Sequence, residues 1–88
     1  MILELEPSLE ECIQTLAKRE YERLVRSALE SGDLDEETAG ALEALKDFLE
    51  KTDFPRLRSR YEPYLAEGKR VRFLLRLQGG YSLEMRVE

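Results

Sequence analysis

Apolar residues recur with a helical period through the middle of this chain and with a strand period at its C-terminal end, while the N-terminal stretch alternates poorly. The opening stretch, Met1–Glu6, is β-prone and stops at Pro7, which predicts a short strand. Ser8-Leu9-Glu10-Glu11 has the form of a capping box, with Ser8 placed to accept from the backbone three residues on and Glu11 to reach back. Leu9, Cys12, Ile13, Leu16, Ala17, Tyr21, Leu24, Val25, Ala28 and Leu29 then follow one stripe of a long amphipathic helix. Gly32 ends it, because glycine takes the left-handed conformation past a helix C-terminus without a Cβ penalty.

Asp33-Leu34-Asp35-Glu36-Glu37 opens a second helix with an aspartate cap and acids in the first turn, where the helix dipole favours them. Leu42, Leu45, Phe48 and Leu49 form its core face, and Ala39, Gly40, Ala41 and Ala44 are small enough to admit another helix closely. The short Ser31–Leu34 connection folds the two helices into an antiparallel hairpin. Phe54, Leu57, Tyr61, Tyr64 and Leu65 match a third helix, although Arg56–Tyr61 also alternates as a strand would. Asp53 and Pro55 make a helix start signal and decide for the helix, with Pro63 expected to kink or split it and Gly68 to close it.

The chain finishes in a β-hairpin, whose register follows from parity. Val71, Phe73, Leu75 and Leu77 alternate with Arg70, Arg72, Leu74 and Arg76; Tyr81, Leu83, Met85 and Val87 alternate with Ser82, Glu84, Arg86 and Glu88. A two-residue Gly79-Gly80 turn would pair Phe73 with Arg86 and put the apolar rows on opposite faces. A three-residue loop, Gln78-Gly79-Gly80, pairs Leu77 with Tyr81 and Phe73 with Met85, so one face is apolar throughout; a five-residue loop preserves the same pairing. One-sided burial therefore predicts the three-residue loop. The order is β-α-α-α-β-β: an α+β fold in which the hairpin and the N-terminal strand form a small antiparallel sheet, covered on one face by the helical hairpin and a short kinked helix.

With 88 residues the chain holds one domain, residues 1–88, and its apolar runs are too short to span a membrane. The N-terminus lacks a basic region and cleavage site, so no signal peptide is expected. Cys12 is the single cysteine, which makes a cytoplasmic, reducing compartment the expectation. The absence of asparagine, with abundant Glu, Arg and Leu, fits a heat-adapted composition.

The net charge of −5 is unevenly distributed. Residues 1–53 carry 15 acids against 6 bases, whereas residues 54–88 carry 4 acids against 8 bases. Every base in the second segment except Lys69 is arginine, the planar cation that pairs well with carboxylate or phosphate. The predicted register sets Arg72 opposite Arg86 on the polar face, near Arg70, Leu74 and Arg76. Directly opposed like charges need an anion between them. Internal carboxylates such as Glu4 and Glu6 are the first expected source, an acidic partner subunit the second, and a phosphate backbone the third. Phe54, Tyr61 and Tyr64 near these bases could serve as stacking platforms, but their place on the apolar stripe assigns them to the core.

Candidate chemistry is sparse. No histidine is present, which removes the commonest general base and metal ligand. Cys12 would need an activating environment and falls on the apolar stripe, so a buried structural thiol is expected. Asp33, Asp35, Glu36 and Glu37 lack calcium-loop spacing and read as helix-start residues. Gly79-Gly80 reads as a turn and not as a phosphate loop, and the pairs Glu62/Glu67 and Glu10/Glu11 read as solvated surface. The expectation is a non-catalytic protein–protein interaction or oligomerisation module, a homodimer in the first instance, with no cofactor or metal. Its interaction surface would be Arg70, Arg72, Leu74, Arg76 and Arg86. The alternative is an accessory nucleic-acid-binding protein using the same arginines.

Overall fold

A computed structural model describes residues 1–88. Its elements are β1 (Ile2–Leu5), α1 (Ile13–Ser31), α2 (Glu36–Lys51), α3 (Phe54–Ala66), β2 (Val71–Leu77) and β3 (Tyr81–Val87), in the order expected for this α+β fold. The sheet order is β1-β2-β3, with both neighbours antiparallel to the central β2. Leu77 pairs with Tyr81, Phe73 with Met85 and Val71 with Val87, so the hairpin closes through the three-residue loop. Gly79 and Gly80 take φ values of 67° and 111° there, which side-chain-bearing residues avoid. The N-terminal strand joins on the other side of β2, with Leu3 opposite Leu75 and Leu5 opposite Phe73.

Local signals account for most helix ends. Asp35 Oδ1 accepts from the Thr38 amide at 2.6 Å, and Asp53 Oδ1 from the Arg56 amide at 3.2 Å. Gly32 ends α1 at φ 69° with its amide bonded to the Ala28 carbonyl. Pro63 does not split α3, which runs unbroken to Ala66. The donor that proline lacks would have served the carbonyl of Ser59, on the exposed side of the helix where water can replace it.

The start of α1 corrects the capping-box expectation. Ser8 Oγ accepts from the Glu10 and Glu11 amides at 3.3 and 3.0 Å, and the Ser8 amide donates to the Glu11 carbonyl at 2.9 Å. Ser8 thus closes a separate turn, the helix begins only at Ile13, and Leu9 is left exposed. Another group takes over the capping: the buried Tyr61 hydroxyl on α3 accepts from the Ile13 amide at 3.2 Å. That bond ties two elements distant in sequence and satisfies a donor that every helix start leaves unpaired.

The core joins Leu3 and Leu5 of β1, the whole inner row of β2, Ile13, Ala17 and Leu24 of α1, Ala41, Ala44, Leu45 and Phe48 of α2, and Phe54 and Tyr61 of α3. Edge-to-face aromatic pairs link its layers, Phe48 with Phe54 at 5.5 Å and Tyr61 with Phe73 at 5.7 Å between ring centroids. The aromatics Phe54 and Tyr61 are therefore core residues. Gly40 is not at a close helix approach, because a Cβ added to it would meet nothing within 4 Å; only Ala41 and Ala44 of that small-residue set are buried.

Helical cover is incomplete in two places. The molecule extends 45 × 23 × 21 Å, and the apolar stripe of α1 outruns the core, leaving Leu29 and Leu34 exposed around the α1–α2 turn. On the sheet, the inner rows of β1 and β2 are buried, whereas Tyr81, Met85 and Val87 of β3 remain 37%, 39% and 36% exposed and Leu83 is half-buried. No helix is long and apolar enough to cross a membrane.

Replacing Tyr61 by Phe keeps the ring in place and leaves the Ile13 amide without an acceptor. The expected loss is about 1–3 kcal/mol, the penalty for an unsatisfied buried donor. Urea unfolding should show a lower midpoint at unchanged slope, while Tyr64→Phe, at a half-buried ring, should leave the midpoint nearly unmoved.

Candidate interaction surface

The parity of the β2–β3 register throws every second residue onto the polar face of the sheet. That face carries Ile2, Glu4 and Glu6 from the β1 segment, Arg70, Arg72, Leu74 and Arg76 from the β2 segment, and Ser82, Glu84, Arg86 and Glu88 from the β3 segment. All five residues expected at the interaction surface are therefore brought together. Arg72 lies directly opposite Arg86, and Arg76 opposite Ser82.

Each guanidinium on this face has a carboxylate from its own chain. Arg70 forms a two-pronged pair with Glu6. Arg72 Nη1 lies 3.1 Å from Glu4, and its other terminal nitrogen meets Glu88. Glu84 serves two arginines, with Arg86 Nε at 2.7 Å and Arg76 Nη1 at 3.7 Å. The opposed Arg72 and Arg86 thus lean toward different anions, which removes the like-charge conflict at that rung. Leu74, opposite Glu4 and Glu84, is half-buried among these charges and not fully exposed. Arg72 Nε is buried without a hydrogen-bond partner.

These contacts move the carboxyls in one direction. The hydrogen bond from Arg70 holds Glu6 below the usual carboxylate range, and the hydrogen bond from Arg86 does the same to Glu84. Both groups stay ionised at neutral pH, so the face is a closed set of paired charges. Four bases (Arg70, Arg72, Arg76, Arg86) stand beside four acids (Glu4, Glu6, Glu84, Glu88).

Two further features escaped the sequence pattern. The apolar row of β3 lies under too few helical residues to be buried, because α2 reaches β3 mainly where Phe48 stacks edge-on against Tyr81 at 5.5 Å. Its position at a sheet edge depends on which side of the hairpin the N-terminal strand joins, which periodicity does not encode. The second feature is Cys12, expected to be buried on the α1 stripe but found half-buried at the N-cap of α1. The displaced helix start puts it there. Its sulfur lies 3.2 Å from Thr15 Oγ1 beside a small depression formed with Ile13, Gln14, Phe54, Pro55 and Arg58. The Thr15 hydroxyl lowers the thiol pKa most. The Thr15 and Gln14 amides, which face the sulfur without closing a capping bond, and the Arg58 charge act in the same direction against partial burial.

The model of an uncharacterised protein family matches residues 1–86. The chain belongs to that family. It is also similar to an uncharacterised protein of Archaeoglobus fulgidus, with 49% identity over 51 residues, a match covering 56% of this chain. The match spans 60% of the relative's own length. No solved structure matches the chain.

A depressed thiol pKa makes the nucleophilic thiolate available at lower pH than in an ordinary cysteine. Alkylation of Cys12 by iodoacetamide should therefore rise with pH along a curve centred below that of free cysteine. Thr15→Val should move the curve upward by removing the strongest stabilising contact. A curve centred at or above the free-cysteine value would show that burial dominates.

Proposed function

We propose that this protein is a small non-catalytic interaction module that works by associating through its sheet. The observation that carries this reading is the half-open apolar row of β3, Tyr81, Leu83, Met85 and Val87, on a strand with no neighbour on its outer side. A domain this small buries a modest fraction of its surface, so an uncovered apolar row beside a free strand edge is a stabilising contact left to another chain. Of the residues expected at the surface, Arg86 lies on that edge strand beside Glu84 and supplies polar contacts at its rim, while Arg70, Arg72, Leu74 and Arg76 sit one strand inward on the polar face. Homodimer formation is the simplest form of this function, and the free Cys12 thiol fits a reducing, cytoplasmic setting.

The nucleic-acid alternative has weaker support. A phosphate approaching the sheet arginines would have to displace Glu4, Glu6, Glu84 or Glu88 from contacts already made. Duplex affinity grows with the number of phosphates neutralised, and a face whose charges already balance neutralises few.

Sedimentation equilibrium from about 1 to 100 μM, the range of ordinary reversible association, should give a mass approaching twice 10.3 kDa. A constant 10.3 kDa particle across that range overturns the homodimer form. In parallel, gel-shift assays with single- and double-stranded DNA and RNA should show no complex even at about 50 mM salt, where phosphate contacts are strongest. A shift lost in R72E/R76E/R86E would reverse the ranking.

A further inference from the structure

The phase of the β2–β3 ladder decides what β3 offers at its free edge. Arg70 and Glu88 exchange both backbone hydrogen bonds, at 3.0 and 2.8 Å. Even-numbered residues of β3 therefore turn their amides and carbonyls toward β2, and Tyr81, Leu83, Met85 and Val87 turn theirs outward. The same four residues carry the half-open apolar side chains. Unpaired backbone and uncovered apolar surface coincide along one strand. The edge is only lightly protected: the ladder is regular, without a bulge, and β3 holds neither proline nor lysine, its charges being Glu84 and Arg86 on the polar face. The opposite edge, β1, spans only four residues and is followed closely by Pro7.

We propose that β3 pairs antiparallel with β3 of a second copy about a two-fold axis at Met85, joining the two sheets into one. This rests on the interaction-module reading above and specifies its partner and register. An axis perpendicular to the sheet keeps both helical layers on one side, and matching faces require odd residues to oppose odd residues. Three registers near the strand centre satisfy that rule. An axis at Glu84 sets Glu84 against its own copy, which opposes like charges. An axis at Leu83 sets Glu84 opposite Ser82 and Arg86 opposite Gly80, so neither charge gains a partner. An axis at Met85 sets Glu84 opposite Arg86 twice, at the closely spaced non-hydrogen-bonded positions, with Leu83 against Val87 and Met85 against itself. Charge complementarity selects the Met85 register. It also selects a second copy of this chain over an unrelated strand, since the sequence Leu83-Glu84-Met85-Arg86-Val87 complements itself when reversed.

The test is a charge exchange on the full chain, read by sedimentation equilibrium with circular dichroism to confirm folding. E84R alone and R86E alone each place like charges in both symmetry-related pairs, and each should raise the dimer dissociation constant about tenfold or more. Mixing the two variants puts an opposite charge against each altered residue and should restore the dimer as a heterodimer. As a readout independent of those substitutions, C12S/M85C should form an intermolecular disulfide on mild oxidation and C12S/L83C should not, because only residue 85 meets its own copy at roughly 5.5 Å between Cα atoms. If the wild-type protein dimerises but the single variants associate unchanged and C12S/M85C fails to cross-link, the β3 pairing is wrong while the interaction-module reading stands. If the wild-type protein is a monomer throughout, the pairing and the homodimer form fall together, and the edge is left to a strand of another protein.

Discussion

The β2–β3 register is the constraint on which the other features depend. Side chains alternate across a strand with a period of two, so shifting the pairing by one residue would exchange the whole apolar row of β3 for its charged row. With Leu77 opposite Tyr81, Phe73 and Met85 fall on the same side and the arginines gather on the other. Two glycines at positive φ make the loop that enforces this spacing. The helices pack against a face that the loop has already made apolar, and the paired charges occupy the face it has made polar. Core and candidate surface are consequences of one geometric choice.

The helical layer then distributes cover unequally. β2 is central, touched by β1 and β3 within the sheet and by α2 and α3 above it, and its inner residues Val71, Phe73, Leu75 and Leu77 are all buried. Tyr61 reinforces this centre, since its ring packs against Phe73 while its hydroxyl holds the first amide of α1. The anchoring at Ile13 directs α1 along the β1 side, and its length carries Leu29 beyond the sheet. β3, outside its pairing with β2, is covered mainly by α2. An edge strand half covered by a single helix is the outcome of a small domain with three helices, one of which extends past the core.

Periodicity recovers the elements because each is amphipathic over several repeats. The hairpin register was legible because only one loop length places both apolar rows on a single face. The start of α1 was not, because Ser8-Leu9-Glu10-Glu11 satisfies the capping-box pattern while its hydroxyl serves a tight turn instead, and the group that does cap, Tyr61, lies far away in sequence. Cys12 was misplaced for the same reason: a helix beginning earlier would have rotated it into the core stripe. Glu4 and Glu6 were readable as counter-charges once the N-terminal strand joined the sheet. The double role of Glu84, between Arg76 and Arg86, needed side-chain positions that spacing does not contain.

The magnitude of the surface pairs bears on what the arginine cluster is for. Exposed ion pairs of this kind contribute roughly 0–1 kcal/mol each, so the cluster adds little stability. Its larger effect is on where charge resides. Four arginines and four glutamates cancel on the outer sheet face, which places the surplus of −5 on the rest of the molecule. The connecting segments are acidic (Glu10, Glu11, Asp33, Asp35, Asp53 and Glu67 against Lys69), while among the helices the acids of α2 are offset by the bases of α1 and α3. Two copies approaching through α2, which holds five acids against two bases, bring like charges together within a screening length of about 8–10 Å. Two copies approaching through the sheet edge meet a neutral face, an apolar row and unpaired backbone. The balanced charge therefore matters by subtraction: it removes the electrostatic barrier at the one edge where association has hydrogen bonds and apolar area to gain.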